Sequence, residues 1–345
     1  MKTICGRCAI VFLLLGIVSS SVDAEDLNSS SQFYKGRQIT LVEGLNPGGG
    51  FDAYARLVTQ HMGKYIPGEP SFVIKYMPGA GSLIAANYLY VRAPQNGTEI
   101  GLISGDISIA PLIGNAAAKF DSRNFNWLGS ADSDSIYCVA WRTAPFYSFT
   151  DVLSREMVVG AAGTQMVNTG NVFNQVVRSK FRIVKGYDGT NGLRLAMERG
   201  EIQGWCGIGL LPIKTTNPEW LSNGTVRIIG QIGYDSSSEA RGVQNIADYA
   251  ANDDDRALLK VIFSYLYMSR PFVAPPKLPS ERVTVLRSAF SRALKDPELL
   301  KQAEKINVRI QPVEGSAIDQ FIRTIYQTPP AVLERASRMM MQEEK

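Results

Sequence analysis

Four strand-to-helix turns in this 345-residue chain are built from Gly, Ser, Thr and Asn: Pro47-Gly48-Gly49-Gly50, Pro78-Gly79-Ala80-Gly81, Gly163-Thr164, and the run from Tyr187 to Gly192. Glycine lets a backbone approach a ligand closely, and the helix after each turn offers unpaired N–H groups carrying a partial positive charge. The chemistry this supports is anion capture. A carboxylate gains roughly 0.3–1 kcal/mol from a helix end and about 1.5–3 kcal/mol per charge-assisted hydrogen bond. Three or four such bonds reach the roughly −8 kcal/mol of a micromolar site. A single turn of this kind does no more than end a strand, but two in each half of the chain point to a binding cleft.

Other chemistries fit less well. The run Gly79-Ala80-Gly81-Ser82-Leu83-Ile84 has Ile where a dinucleotide fingerprint needs Gly or Ala, and no Gly-Lys-Ser/Thr of a phosphate loop occurs. His61 is the only histidine, which leaves no His cluster for zinc, and there is no Gly-x-Ser-x-Gly elbow. Asp52, Asp106 and Asp188 sit on turns where a base could act, yet an Asp at a helix start is more simply an N-terminal cap. No catalytic residue, metal or cofactor is expected.

The elements that must position these turns alternate. Ile39–Leu45 reads as a strand, and Phe51, Ala55, Val58 and Met62 then mark one face of a helix that Pro67-Gly68 stops. A strand at Phe72–Tyr76, a helix from Ser82 (a candidate N-cap) through Val91, and a strand at Ile100–Ser104 follow. The pattern restarts with Ile136–Trp141, a short helix near Asp151, Met157–Ala161, a helix carrying Val172, Phe173, Val176 and Val177, Arg182–Lys185, a helix ending near Gly200, and Gln203–Cys206. Val226–Ile232 and Arg270–Ala274 read as further strands, and Ser280–Leu294, Pro297–Lys305, Ser316–Gln327 and Ala331–Met341 as helices. Alternating β/α order implies mainly parallel sheets covered by helices, here in two lobes. The returning C-terminal helices cover the first lobe, which is then discontinuous: 33–135 plus 233–345, with 136–232 as the second lobe.

The ends and the composition bound the location. Lys2 and Arg7, an apolar stretch from Ala9 to Val18, and Ser19 to Ala24 have the order of a secretory signal, with cleavage expected after Ala24. The apolar stretch is too short for a bilayer span, which takes roughly twenty residues. Removing residues 1–24 takes away Lys2, Arg7 and Asp23 and leaves 34 basic against 31 acidic residues, from 36 and 32. That weak, dispersed field argues against a nucleic-acid surface. Two cysteines remain, Cys138 and Cys206, and in an oxidising compartment a disulfide between them is the natural pairing, with two buried free thiols as the alternative.

At Gly44-Leu45-Asn46-Pro47-Gly48-Gly49-Gly50-Phe51-Asp52-Ala53-Tyr54-Ala55-Arg56, then Met77 to Ser82, Ala93 to Thr98, Val159 to Thr164, Gly186 to Asn191 and Ala196 to Ile202, the chain resembles the receptors of tripartite tricarboxylate transporters, also called Bug receptors. The resemblance spans nearly the whole mature chain. It implies a two-lobed (type II) periplasmic binding protein with a ligand cleft between its lobes. A carboxylate would be held in the first lobe by Asn46, Gly48, Gly49, Gly50, Phe51, Asp52, Gly79, Ala80, Gly81 and Ser82, with Ser104 and Asp106 beside them. Thr164, Gln165, Tyr187, Asp188, Thr190 and Asn191 would close on its distal end. The implied partners are a small carboxylate solute and large and small integral membrane subunits, with no nucleic acid; a periplasmic monomer is expected. The second-lobe loop departs from the family pattern, reading Ala-Ala-Gly-Thr-Gln-Met where Pro-Gly and Gly-Ser are usual, and Asp188 follows Tyr187 where Pro or Lys is commoner. Two other readings are a sensor subunit for a membrane kinase and an exported α/β enzyme using Asp52 or Asp188 as a base.

Overall fold

A computed structural model of the chain describes residues 32–234 and 238–341; the expected leader at 1–24 lies outside them. In chain order the first run is β1 (Gln38–Glu43), α1 (Gly50–Met62), β2 (Ser71–Tyr76), α2 (Leu83–Val91), β3 (Glu99–Leu102) and β4 (Asn126–Ser130). The second is β5 (Ser135–Trp141), α3 (Phe149–Ser154), β6 (Met157–Ala161), α4 (Thr164–Val176), β7 (Phe181–Lys185), α5 (Gly189–Glu198), β8 (Gly204–Ile208), α6 (Leu211–Thr216), α7 (Glu219–Ser222) and β9 (Val226–Gly233). The chain ends with α8 (Asp253–Ile262), β10 (Pro271–Ala274), α9 (Ser280–Ala293), α10 (Pro297–Lys305), β11 (Val313–Glu314), α11 (Gly315–Ile325) and α12 (Pro330–Met341).

Two mixed sheets result, in the orders β11-β4-β10-β3-β1-β2 and β7-β6-β8-β5-β9. Leaving β11 aside, both use one plan. Three parallel strands stand side by side, an antiparallel strand joins them, and a fifth strand pairs with that one. In the first sheet the antiparallel strand is β10, which returns from beyond the second sheet, and in the second it is β5, which opens the second run. Apolar side chains on both faces of the strands explain the helices on both sides. Ile39 and Leu41 share a buried cluster with Val58 of α1 and Leu286 of α9, whereas Val42 joins the opposite cluster with Leu83 and Leu89 of α2. Each such side chain contributes about 1.5–3 kcal/mol on full burial.

The pattern gives no signal for β4, because Gly129 at φ +150° interrupts its apolar run; β10 and β11 hold it in place from either side. The helix α8 falls in a stretch expected only to be helix-rich. Its start is set by Asn252, whose side chain accepts from the Asp255 N–H, and by three aspartates in the first turn, where the helix dipole favours negative charge.

The chain passes from β4 to β5, and so from one sheet to the other, through residues 131–134. This crossing is pinned by Asp132, whose side chain is 7% exposed. Arg309 grips its carboxylate with Nε and Nη2, each at 3.0 Å, and also donates to the Ser133 carbonyl at 2.5 Å. The Tyr54 hydroxyl lies 3.3 Å from the same carboxylate. Burial pushes the Asp132 carboxyl up to about 6, with Arg309 pulling in the opposite direction.

Cys138 of β5 and Cys206 of β8 stand directly opposite each other in the antiparallel register, Cα atoms 4.0 Å apart, and are joined by a disulfide. The bridge closes a 67-residue loop, the interval between positions 68 apart in sequence. Replacing both residues, Cys138→Ala with Cys206→Ala, lowers the unfolding free energy by about 2–4 kcal/mol, read from urea melts of the oxidised parent and the variant. An unchanged midpoint would mean that the bridge constrains nothing.

Candidate functional site

A cavity of about 650 Å³ lies between the two sheets. The first-sheet side contributes Phe51 from the first turn of α1, and Ser104, Gly105 and Asp106 from the segment after β3. The second-sheet side contributes Thr164, Gln165, Asn168, Thr169 and Val172 from α4. A third wall comes from the segment between α8 and β10, which supplies Phe263, Tyr265, Leu266, Ser269 and Arg270. The amino ends of α1 and α4 thus border one space from opposite sides. Their N-cap residues are Gly49 and Gly163, and neither has a side chain to occupy the free N–H groups.

Of the residues singled out in the sequence, Phe51, Ser104, Asp106, Thr164 and Gln165 meet in this cavity. Gly48, Gly49 and Asp52 line a different one, of about 420 Å³, with Arg56, Gln60, Gln302 and Lys305. The two faces of the first glycine turn therefore open onto two spaces. Asn46 is exposed, and Gly50 sits so that a Cβ there would lie 3.9 Å from Nη2 of Arg270. Tyr187 is half-buried against β6, its ring 3.1 Å from where a Cβ on Gly160 would stand, while Asp188 and Asn191 are exposed and Thr190 is partly so. None of these four lines the cavity.

The second glycine turn does something the sequence does not indicate. Gly79, Ala80, Gly81 and Ser82 run through φ values of +139°, +44°, +60° and +80°, a left-handed stretch in which Ala80 and Ser82 are strained. Ser82 occupies the N-cap position of α2 but makes no capping bond; its Oγ instead accepts from the Ser104 N–H at 3.1 Å. A Cβ on Gly44 would meet that Oγ at 2.5 Å, so glycine at 44 is what lets Ser82 reach across. The buried Ser82 thereby fixes Ser104, which does line the cavity.

The carboxylates also depart from simple caps. Asp52 stands in the first turn of α1, accepting from the Gly48 N–H at 2.8 Å and the Tyr76 hydroxyl at 2.8 Å, with Arg56 at 3.0 Å. Burial pushes its carboxyl up, but the Gly48, Tyr76 and Arg56 donors together hold it below the usual value. Asp188 takes the N-cap position of α5 without a side-chain capping bond. His61 is buried outside the cavity, Nδ1 3.1 Å from Asp296 and Nε2 3.1 Å from Gln302. Among the described residues no group of three or more His, Cys, Asp or Glu could hold a metal ion.

Two residues escaped the sequence reading. Glu43, at the end of β1, is fully buried, and neither carboxylate oxygen has a hydrogen-bond partner. Burial first, and the nearby Asp52 second, push its carboxyl from 4.5 up to about 7. A Glu directly after the apolar pair Leu41-Val42 at the end of the strand, QITLVE, was the available signal. Arg270 leads into β10 and lines the cavity; its signal was an arginine among Tyr, Leu, Met and Phe with no Asp or Glu between positions 256 and 280.

No protein-family model and no curated protein matches the chain. Solved structures do. A TctC solute binding protein from Polaromonas aligns over 90% of this chain and 99% of its own, with a TM-score of 0.67 and 16% identity. MatC from Rhodopseudomonas palustris with bound malate aligns over 88% and 99%, TM-score 0.50, 17% identity. An R. palustris protein with adipate aligns over 88% and 97%, TM-score 0.50, 17% identity. The fold is that of the two-lobed α/β periplasmic binding proteins, and among the described residues no helix is long and apolar enough to cross a membrane.

Glu43 yields a test with a definite sign. Its folded-state carboxyl is raised, so its contribution to stability is complete below about 4.5 and is lost as the pH rises through about 7. Glu43→Gln, which fixes a neutral side chain, raises the melting temperature by a few degrees at pH 8, and the gain shrinks steadily toward pH 5. Equal gains at both pH values would show that ionisation of Glu43 is not the cause.

Proposed function

We propose that this chain is an exported, non-catalytic solute receptor of the tripartite tricarboxylate transporter (Bug) type. It captures a small carboxylate-bearing molecule between lobes 33–135 plus 233–345 and 136–232, and hands it to large and small integral membrane subunits from the periplasm. One observation carries this reading. The 650 Å³ cavity is bordered by the uncapped amino ends of two helices, α1 from one sheet unit and α4 from the other. Two convergent helix amino ends stabilise an anion in a space sized for a small molecule. Closure of one unit on the other would bring Thr164 and Gln165 of α4 toward Phe51 and Ser104.

Two further observations support a receptor over an enzyme. The lone histidine is engaged with Asp296 and Gln302 away from the cavity. Asp52, the carboxylate nearest the first turn, is committed to Gly48, Tyr76 and Arg56, which hold it ionised and occupied.

A thermal-shift screen of the purified protein against mono-, di- and tricarboxylates and aromatic acids tests the reading. A ligand at a hundred times its dissociation constant stabilises by about 2.7 kcal/mol, a shift of a few degrees for a chain of this size, and is recovered chemically unchanged. A folded, ligand-free protein that responds to no acid, or one that converts the acid it binds, would overturn the proposal.

A further inference from the structure

Among the described residues, Arg270 is the only cationic side chain lining the 650 Å³ cavity. Among the described residues it makes no ion pair. Its Nη1 donates to the Ser269 carbonyl at 2.6 Å, and its Nε is buried without a hydrogen-bond partner. The guanidinium lies over two aromatic rings, 4.4 Å from the centroid of Phe51 and 5.2 Å from that of Tyr54. Those contacts fix the planar fork while leaving donors on it free, which suits it to a carboxylate. Nη2 also lies beside Gly50, so the free donors of Arg270 and the amino end of α1 share one corner of the cavity.

The remaining charge in the cavity is of the opposite sign. Asp134 is already taken by Arg309 at 3.1 Å and by the Ser135 N–H at 2.8 Å. Asp106 is exposed and has no ion-pair partner among the described residues. The surface between is mixed, with Val172, Phe263 and Leu266 beside the uncharged polar Asn168, Thr169 and Ser269. The amino end of α4 carries only a partial positive charge, and its N–H groups can donate to a hydroxyl, amide or carbonyl oxygen of the ligand, whereas Arg270 carries a full charge.

We infer that the cavity selects a monocarboxylate: Arg270 takes the single carboxylate at the amino end of α1, and Asp106 disfavours a second one. The preferred ligand has an uncharged body and no second carboxylate. This rests on the receptor reading above and narrows its ligand class, in contrast to the malate and adipate of the two R. palustris structures, which each carry two carboxylates.

The test is calorimetric titration of the full mature chain with matched acids, hexanoate against adipate and benzoate against terephthalate. In whichever pair binds, the monoacid binds at least tenfold more tightly. Arg270→Met weakens that monoacid by about 10–100-fold, the loss expected for a charge-assisted bidentate contact, and Arg270→Lys recovers part of it. Because an arginine packed on two rings also supports local structure, Asp106→Asn provides an independent arm on an exposed side chain: the monoacid-to-diacid affinity ratio falls at least threefold. A diacid that binds as tightly as its monoacid, or an Arg270→Met protein of unaltered affinity, overturns the inference and leaves the receptor reading standing. Failure of all four acids to bind the folded wild-type chain overturns the inference, and the receptor reading with it only when the wider acid panel also gives no response.

Discussion

The chain leaves the first sheet for the second between β4 and β5, and the first sheet is completed only when β10 and β11 return to it afterwards. The crossing from β4 to β5 is held at one buried carboxylate. Asp132 would be costly to bury alone, and Arg309 and Tyr54 make it affordable by meeting its oxygens from two separate parts of the sequence. Because Arg309 also donates to the Ser133 carbonyl and reaches Asp134, the pin fixes the backbone of the crossing as well as one side chain. β5 begins directly after this crossing and takes its place in the second sheet between β8 and β9.

The glycine turns position the cavity indirectly as well as directly. The first contributes Phe51 and the amino end of α1. The second contributes no lining residue, yet its left-handed course delivers the Ser82 hydroxyl to the Ser104 N–H and so shapes the wall beyond β3. Strain at Ala80 and Ser82 is tolerated because that hydrogen bond and the space left by Gly44 determine the conformation.

Much of the architecture was legible in the sequence because its signals are local. Period-3.6 spacing such as Phe51, Ala55, Val58 and Met62 and short apolar runs such as MVVGA are each set by a few neighbouring residues. What was not legible depends on distant partners. β4 is a strand because β10 and β11 flank it, and Asp132 is a pin because Arg309 arrives from 177 positions away. The site divides in the same way. Phe51, Ser104, Asp106, Thr164 and Gln165 follow from their turns, whereas Tyr187, Asp188, Thr190 and Asn191 share the same turn chemistry but stand outside the cavity. Arg270 and Glu43 gave only the weak signal of a charge in apolar company, since nothing in one dimension says whether such a charge finds a partner in three.

Both sulfurs of the Cys138–Cys206 bridge belong to the second sheet. The covalent link therefore staples neighbouring strands of one body and does not span the gap between the two. A tensile load drawing the sheets apart would pass instead along the peptide backbone of the crossings and through non-covalent packing such as that of Phe173 of α4 on Phe263. In mechanical terms, reduction of the disulfide would loosen one plate while leaving the joint between the two as it was.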